Sequence, residues 1–401
     1  MSGVNFIVWA FGKYALKGSW TNISLQSIYN NFKQGFAWDY DSFGTNHMGH
    51  AYHGAMFHSI ARLNGMDFYE SSLYTILGGL TWELLWETES PSKNDVITTA
   101  IGGIALGEIL YRTANLIDTD GSKGLGTTLL KTLKFFINPI STVIKRKDSA
   151  SRSGSDSRNH NYSLNIPFGA YSTSNKKITL QFSTNLEYND ALQGNITEIN
   201  PFDWFSFTAR FGLNERGFRD AEILTTGILF GGKIRNGLAG LFGTFDYIDT
   251  QTAKKYSAAG VGPGLVIRAY SDSDLFFKSS GLLSFIFGGS SPTIHFEHPR
   301  YEEEQFRPHH YGPGIMGKIK LELGKKGLGS IHTAFSQYCL RSVYAEANEA
   351  LGIWSLNLNY DVSGGSQISI GYNYYLRNAT LGEQQYRGAK NTVRAMYVLN
   401  F

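Results

Sequence analysis

One cysteine, nine prolines and no apolar run of transmembrane length set the first limits on this 401-residue chain. Cys339 stands alone, which excludes an internal disulfide framework and any multi-cysteine metal site, and its expected state is an unpaired, buried thiol. The longest apolar helical candidate, Val96 to Tyr111, is interrupted by Glu108 and falls short of the roughly 20 residues that span a bilayer. With a mean hydropathy of -0.21, a polytopic helical membrane protein is excluded. Charge excess is also missing: a formal net charge of +3 offers no electrostatic reason to expect a nucleic-acid partner. Phe6 to Phe11 is apolar but has no basic region before it and no small-residue cleavage site after it, so no secretory signal is visible and a mature or trimmed form of an exported chain is expected.

Aromatics, at 14%, and 45 glycines are what the chain has in quantity. Its last eleven residues alternate: Val393, Ala395, Tyr397, Leu399 and Phe401 share one face, and Thr392, Arg394 and Asn400 share the other. A strand with one apolar face enters lipid only as part of a closed barrel, because every backbone polar group must be paired within the protein. The same period of two recurs upstream. Ile178, Leu180, Phe182, Leu186 and Tyr188 alternate with polar residues, as do Phe205 to Leu213, Trp354 to Val362 and Ile368 to Leu376. Further candidates at 219–231, 236–248, 256–270, 274–288, 312–323 and 327–341, with a first strand near 163–171, give about 12 strands, in keeping with the even strand number of bacterial barrels. A soluble lipocalin-like barrel also alternates, but aromatics at strand ends (Tyr188, Trp354, Tyr360, Tyr397, Phe401) fit interfacial girdles better. Glu187, Arg210, Asp361 and Arg394 fall on the opposite, lumen-facing side.

Before the polar, Ser-rich stretch 148–161 the apolar period is helical. The expected organisation is therefore α+β: a helical domain over 1–147, a linker or loop over 148–161, and an antiparallel transmembrane β-barrel over 162–401. His50 and His53 sit three apart on a helix running to Leu63, and a second helix, Ser72 to Trp86, brings Glu83 and Glu87 onto one face. A third begins after Pro91, with Ser92 as N-cap and Asp95 as its structural capping partner; Gly103 and Gly107 suit close helix approach, and Glu108 and Arg112 form an intrahelical ion pair. Glu83 and Glu87 lie among Leu80, Trp82, Leu84, Leu85 and Trp86, and burial would raise a carboxyl pKa toward the range of an acid/base group. Two readings stand side by side. Either these are polar residues satisfied in an ordinary core, or His50, His53, Glu83 and Glu87 converge with Asp39 or Asp41 as a divalent-metal site or a His-carboxylate hydrolytic centre. No metalloprotease or serine-hydrolase signature accompanies them. The segment after Gly126 has a basic side (Lys131, Lys134, Lys145, Arg146, Lys147) and an apolar side (Leu129, Leu130, Leu133, Phe136, Ile137), as a surface-lying membrane helix or a packed helix would.

Trp38-Asp39-Tyr40-Asp41, Asn46, His50, Tyr52-His53-Gly54, Ala61-Arg62, Gly65, Trp82-Glu83, Glu87, Pro91-Ser92, Asn94-Asp95, Gly107-Glu108 and Arg112 together resemble the DUF3943 family of Gram-negative envelope proteins. Members usually carry Pro after the first motif histidine, where this chain has Ala51. The resemblance implies a helical module coupled to an envelope barrel and carries over no activity.

The functional expectation is an integral outer-membrane protein of a Gram-negative bacterium with a periplasmic-side helical domain, serving envelope maintenance or passage of a small solute or lipid. Outer-membrane lipid and, during biogenesis, the outer-membrane assembly machinery are the expected partners. The alternative is a lipid- or lipopolysaccharide-modifying hydrolase with His50 or His53 as base. A purely structural or docking role is the third reading.

Overall fold

The computed structural model describes residues 2–39, 41–117, 128, 131–132, 134–135, 137–143, 161–173, 177–192, 198–292, 309–343, 345–362 and 365–401. The polar stretch 148–161 lies outside these apart from Asn161, as do Leu129, Leu130, Leu133, Phe136 and Lys145 to Lys147 of the amphipathic segment. Two compact units divide the chain at Asn159/His160.

The first unit is helical: α1 (Ser2–Phe11), α2 (Leu25–Gln34), α3 (His50–Leu63), α4 (Phe68–Leu85), α5 (Lys93–Ile97) and α6 (Gly103–Leu116), then a short turn at Ile140–Val143. Local chemistry sets their starts. In α4, Asp67 accepts from the Glu70 backbone N–H at 2.8 Å while Glu70 accepts from Asp67 N–H at 3.0 Å, so the helix begins four residues before Ser72. Its final turn closes at Leu85, leaving Glu87 beyond the helix. Ser92 caps α5 by accepting from Asp95 N–H at 3.2 Å, as the spacing predicts. Single π-helical turns, Thr45–Gly49 and Thr98–Gly102, lead into α3 and α6. Such turns are rare and concentrate near functional residues.

Helices α3 and α6 meet almost backbone to backbone. A Cβ on Gly103 would stand 2.5 Å from Gly54 Cα, and one on Gly107 would stand 3.0 Å from Ala55 Cα. Ala51 and Ala55 of α3 and Leu106 and Ile109 of α6 are buried, and Phe57 packs on Gly78 of α4. No described helix is long and apolar enough to cross a membrane.

The second unit is a closed barrel of twelve antiparallel strands, each paired with the next and β1 (Tyr162–Thr173) closing on β12 (Gln384–Asn400). Between them run β2 (Ile178–Tyr188), β3 (Phe205–Asn214), β4 (Gly217–Ile234), β5 (Gly237–Thr250), β6 (Lys254–Tyr270), β7 (Leu275–Pro292), β8 (His309–Lys325), β9 (Gly329–Arg341), β10 (Ala347–Val362) and β11 (Ser366–Leu381). The alternation is inside-out. Leu180, Phe182, Leu283, Phe285, Ile315, Ile319, Leu358, Ile370, Val393 and Tyr397 are exposed, while Thr179, Ser183, Asp246, Lys318, Ser369 and Thr392 are buried. An apolar exterior around a polar interior makes this a transmembrane barrel.

Two local expectations change. Tyr188 is buried rather than part of a girdle: its ring stacks on Phe205 at 5.0 Å, its hydroxyl donates to Asp190 at 2.5 Å, and Phe202, with φ 61°, turns its own ring to within 6.4 Å of Phe205. Cys339 is only half-buried, because its neighbours Tyr338 and Leu340 take the inward positions of β9.

Candidate acid-histidine site of the helical domain

The site is assembled by a single non-helical contact. Residues 36–39 run beside the start of α5: Ala37 N–H donates to Pro91 O at 2.8 Å and Lys93 N–H donates to Ala37 O at 2.8 Å. That short parallel bridge lays Asp39 against Asn94. Asp39 Oδ1 then accepts from Asn46 Nδ2 at 2.7 Å and Asn94 Nδ2 at 2.9 Å, while Asp39 N–H donates to Asn94 Oδ1 at 3.2 Å. Asn31 of α2 pins the end of α4 by donating to the carbonyls of Glu83 and Glu87, at 3.3 and 3.0 Å.

Three side chains converge inside this frame: His50 from the start of α3, Glu83 from the last turn of α4, and Asp95 from α5. One ligand-capable atom of each lies within 4.8 Å of the others. His50 Nε2 is 3.6 Å from Asp95 Oδ2, its Nδ1 is 3.4 Å from Thr99 Oγ1, and Glu83 Oε2 accepts from Ser92 N–H at 2.7 Å.

Burial dominates the electrostatics. It pushes the Glu83 carboxyl up to about 7, against the Ser92 N–H and a hydrogen bond with Glu87. Glu87 rises well above the ordinary carboxylate range through burial and the neighbouring Glu83. Asp95 rises likewise by burial and by its hydrogen bond to Asp39, whose own carboxyl is lowered: burial raises it, but hydrogen bonds from Asp95, Asn94 and Asn46 outweigh that. In each acid pair the rise falls mainly on one partner, Asp95 beside Asp39 and Glu87 beside Glu83. Asp41, at the rim, is raised by burial and by Asp39. His50 is pulled down to about 4 by burial, which leaves a neutral imidazole with a lone pair for a ligand at neutral pH.

Of the residues the sequence singled out, His50 and Glu83 come together, Glu87 joins through Glu83, and Asp39 joins through Asp95. His53 does not. It points between α3 and α4, its ring stacked on Phe57 at 4.8 Å and edge-on to Trp82 at 4.9 Å, and its Nε2 has no hydrogen-bond partner among the described residues. Burial, reinforced by His50, lowers it to about 3. Although three residues apart on a helix place two side chains on neighbouring faces, here one face meets α5 and the other meets the aromatic layer of α4. Asp95 is the member that sequence reasoning missed: its spacing from Ser92 explains it as a cap partner, and besides its backbone N–H, which donates to Ser92, its carboxyl hydrogen-bonds Ser92, Asn94 and Asp39 at the edge of the site.

A second polar centre lies further along α3. Glu108 accepts from His58 Nε2 at 3.0 Å, Arg112 Nε at 2.8 Å and Arg62 Nη2 at 3.4 Å, and Arg62 Nε stands in ion-pair contact with it at 2.9 Å. The intrahelical Glu108–Arg112 pair is therefore part of a four-residue network, and burial of the carboxyl is outweighed by both guanidiniums and His58, which hold it well below the usual range.

Residues 35–140 match the family described as "Domain of unknown function (DUF3943)". Both polar centres fall inside that segment. No curated protein matches the chain. Among solved structures, the NanC porin is 10% identical, with 59% of this chain and 98% of that chain covered and a TM-score of 0.34. A loop L8 deletion mutant of OmpT, an outer membrane protein of Vibrio cholerae, is 9% identical, covering 60% and 99%, at 0.24. The Acinetobacter baumannii outer membrane protein Omp33 is 8% identical, covering 60% and 98%, at 0.25. At scores this low, the barrel is read from its own strand pairing.

Two carboxylates and one neutral imidazole suit a zinc, manganese or iron ion better than the all-oxygen shells of calcium and magnesium. The spread of 4.8 Å is one that small side-chain rotations close to the roughly 3.5 Å between ligands of a tetrahedral ion.

Proposed function

We propose that this is an integral outer-membrane protein in which a sealed barrel anchors a helical domain whose His50, Glu83 and Asp95 bind a divalent transition-metal ion. The observation that carries the reading is the convergence of those three donors, from three different helices, within 4.8 Å. A bound ion would supply positive charge among these buried acids, and would tie α3, α4 and α5 together. Glu87 and Asp39 would then act as the partners that orient Glu83 and Asp95. A barrel with an apolar exterior needs a bilayer, and the outer membrane of a Gram-negative envelope is the bilayer that houses such barrels.

An anchoring role for the barrel is supported by its interior. Lys318 and Tyr338 both reach Asp246, at 2.5 and 2.8 Å, and Arg377 pairs with Glu349 at 2.9 Å. Of the lumen-facing residues expected from sequence, Arg210 pairs with Glu222 at 2.5 Å, Glu187 pairs with Arg268, Arg394 donates to Asn357 at 2.8 Å and Asp361 accepts from Gln367 at 2.7 Å. These groups are spent on one another, which favours envelope maintenance over solute passage. The hydrolase alternative finds less support, because His53 is enclosed by aromatics instead of facing the acids.

The test is metal analysis and calorimetric titration of chelator-treated full-length protein with Zn2+ and Mn2+. One ion per chain is expected for the wild type, and loss of binding for Asp95→Asn and for His50→Gln, with the helical and barrel circular-dichroism signals retained. Wild-type protein that takes up neither ion, or variants that bind as well as it does, would overturn the reading.

A further inference from the structure

The outer faces of α1, α2 and α4 are inverted relative to a soluble domain. In α4 the side that packs inward is Ser71, Thr75, Gly78 and Gly79, with Trp82 in the last turn, whereas Tyr69, Leu73, Ile76 and Leu77 are exposed. These last four recur at one helical face. In α2 the buried residue is Asn31, and the exposed stripe is Leu25, Tyr29 and Phe32, with Leu25 88% exposed. In α1 the buried residues are Val4 and Asn5, while Phe6, Ile7 and Phe11 face out, followed by Tyr14 and Leu16 in the next turn. Polar groups make the helix contacts: Asn5 Nδ2 donates to Thr81 Oγ1 at 3.2 Å, and Asn31 binds the end of α4. Small and polar residues inside with large apolar residues outside is the pattern of helices that pack in lipid.

We infer that these faces of α1, α2 and α4 insert into the surface of a phospholipid bilayer, making the helical domain a monotopic membrane module in addition to the barrel. Three observations commit the occupant to lipid. Charge is the first: residues 2–34 contain Lys13, Lys17 and Lys33 and no acidic residue, which complements anionic headgroups. Interfacial chemistry is the second, since Tyr14, Tyr29 and Tyr69 are exposed and Trp9 stands with Lys13 over its ring at 5.0 Å, side chains that favour the headgroup level. Covalent reach is the third. The same chain carries a transmembrane barrel, and the seventeen residues between Val143 and Asn161 span no more than about 60 Å when fully extended, so a bilayer is always at hand. No described helix is long and apolar enough to cross a membrane, and one-sided apolar faces of this kind suit the interface. The inference is independent of metal binding.

Site-directed spin labelling of the full-length protein tests it. In a Cys339→Ser background, labels at Leu25→Cys and Leu73→Cys are read in vesicles of phosphatidylethanolamine and phosphatidylglycerol, with Leu283→Cys on the barrel exterior as the lipid-facing reference. Collision with oxygen is expected to exceed collision with a water-soluble nickel chelate several-fold at both helical positions, as at Leu283→Cys. Dominance of the nickel chelate would place the faces in water and overturn the inference. Exclusion of both reagents with dipolar broadening would assign the faces to a second copy of the chain and overturn it equally. Tyr29→Cys and Tyr69→Cys repeat the measurement if either first label disturbs the helical signal.

Discussion

Glu108 and His58 face each other in complete enclosure, with Nε2 of the histidine 3.0 Å from Oε2 of the glutamate and neither side chain exposed at all. Two guanidiniums complete the arrangement, so the carboxylate is the hub of a network joining α3 to α6. Removing the hub takes the shared carboxylate away from the half-buried guanidiniums of Arg62 and Arg112. Glu108→Gln is expected to cost about 3–5 kcal/mol, the range for breaking a buried pair from one side. The measurement is thermal loss of the helical circular-dichroism signal; an unchanged midpoint would show that water solvates the arginines.

The same carboxylate sets an acid limit. Its folded pKa is depressed, so its contribution is full above the unfolded value of about 4.3 and is lost as pH falls toward the folded one. Glu83 has the opposite sign: raised by burial to about 7, it contributes fully below its unfolded value and progressively less as pH rises through 7. From these two carboxyls, metal-free protein should therefore show helical-domain stability highest near their shared unfolded value, at about pH 4 to 5, declining on both sides. Glu108→Gln should flatten the acid limb alone, read from melting midpoints across the pH range.

Gly54 has no room for a methyl group. A Cβ there would stand 2.1 Å from the carbonyl oxygen of Thr99 and 2.9 Å from Gly103 Cα, both backbone atoms that cannot rotate away. Gly54→Ala should separate α3 from α6 and destabilise by about 1–3 kcal/mol or more. Gly49→Ala is the control: its φ is -59°, its Cβ would meet nothing closer than 3.8 Å, and replacing glycine there should be neutral or stabilise by about 0.4–1 kcal/mol. Equal effects at the two positions would contradict the close crossing.

The barrel was legible because its period is short and repeated: Ile178 to Phe182 and Val393 to Tyr397 lie on the outer face as their alternation predicts. The exceptions come from packing that alternation does not encode, as when Tyr188 and Leu186 are covered at the end of β2 near Phe202 and Phe205. The helical site was legible by residue type and illegible by partner. His50 and Glu83 converge only because residues 36–39 bridge to Pro91–Lys93, a contact with no sequence period. Asp95 was hidden by a sufficient local explanation, its cap. His53 instead turns to the aromatic rings of Phe57 and Trp82, contacts that its spacing from His50 does not encode.

The side chains that fill the described interior of the barrel yield the last prediction. Across the barrel, Ile248, Tyr256, Ile286, Met316, Tyr338 and Leu351 form one buried cluster, and Trp204, Ile228, Leu238, Phe242 and Val266 form another. Between described interior groups, the cavity bounded by Tyr171, Arg210, Asp220, Glu222, Tyr375 and Arg394 has a volume of about 30 Å3, room for a water or two. A hydrated ion has no comparable space there, and its passage would require separating Arg210 from Glu222 or Arg394 from Asn357. Full-length protein in planar bilayers should therefore show no unit conductance above background. Tyr256→Ala combined with Tyr338→Ala removes two wholly buried rings whose centroids are 5.1 Å apart, and is expected to introduce ion leakage while the chain still runs as a heat-modifiable barrel. Regular channel openings in the wild type would show that the interior rearranges in a bilayer, and the anchoring role would fall with the seal.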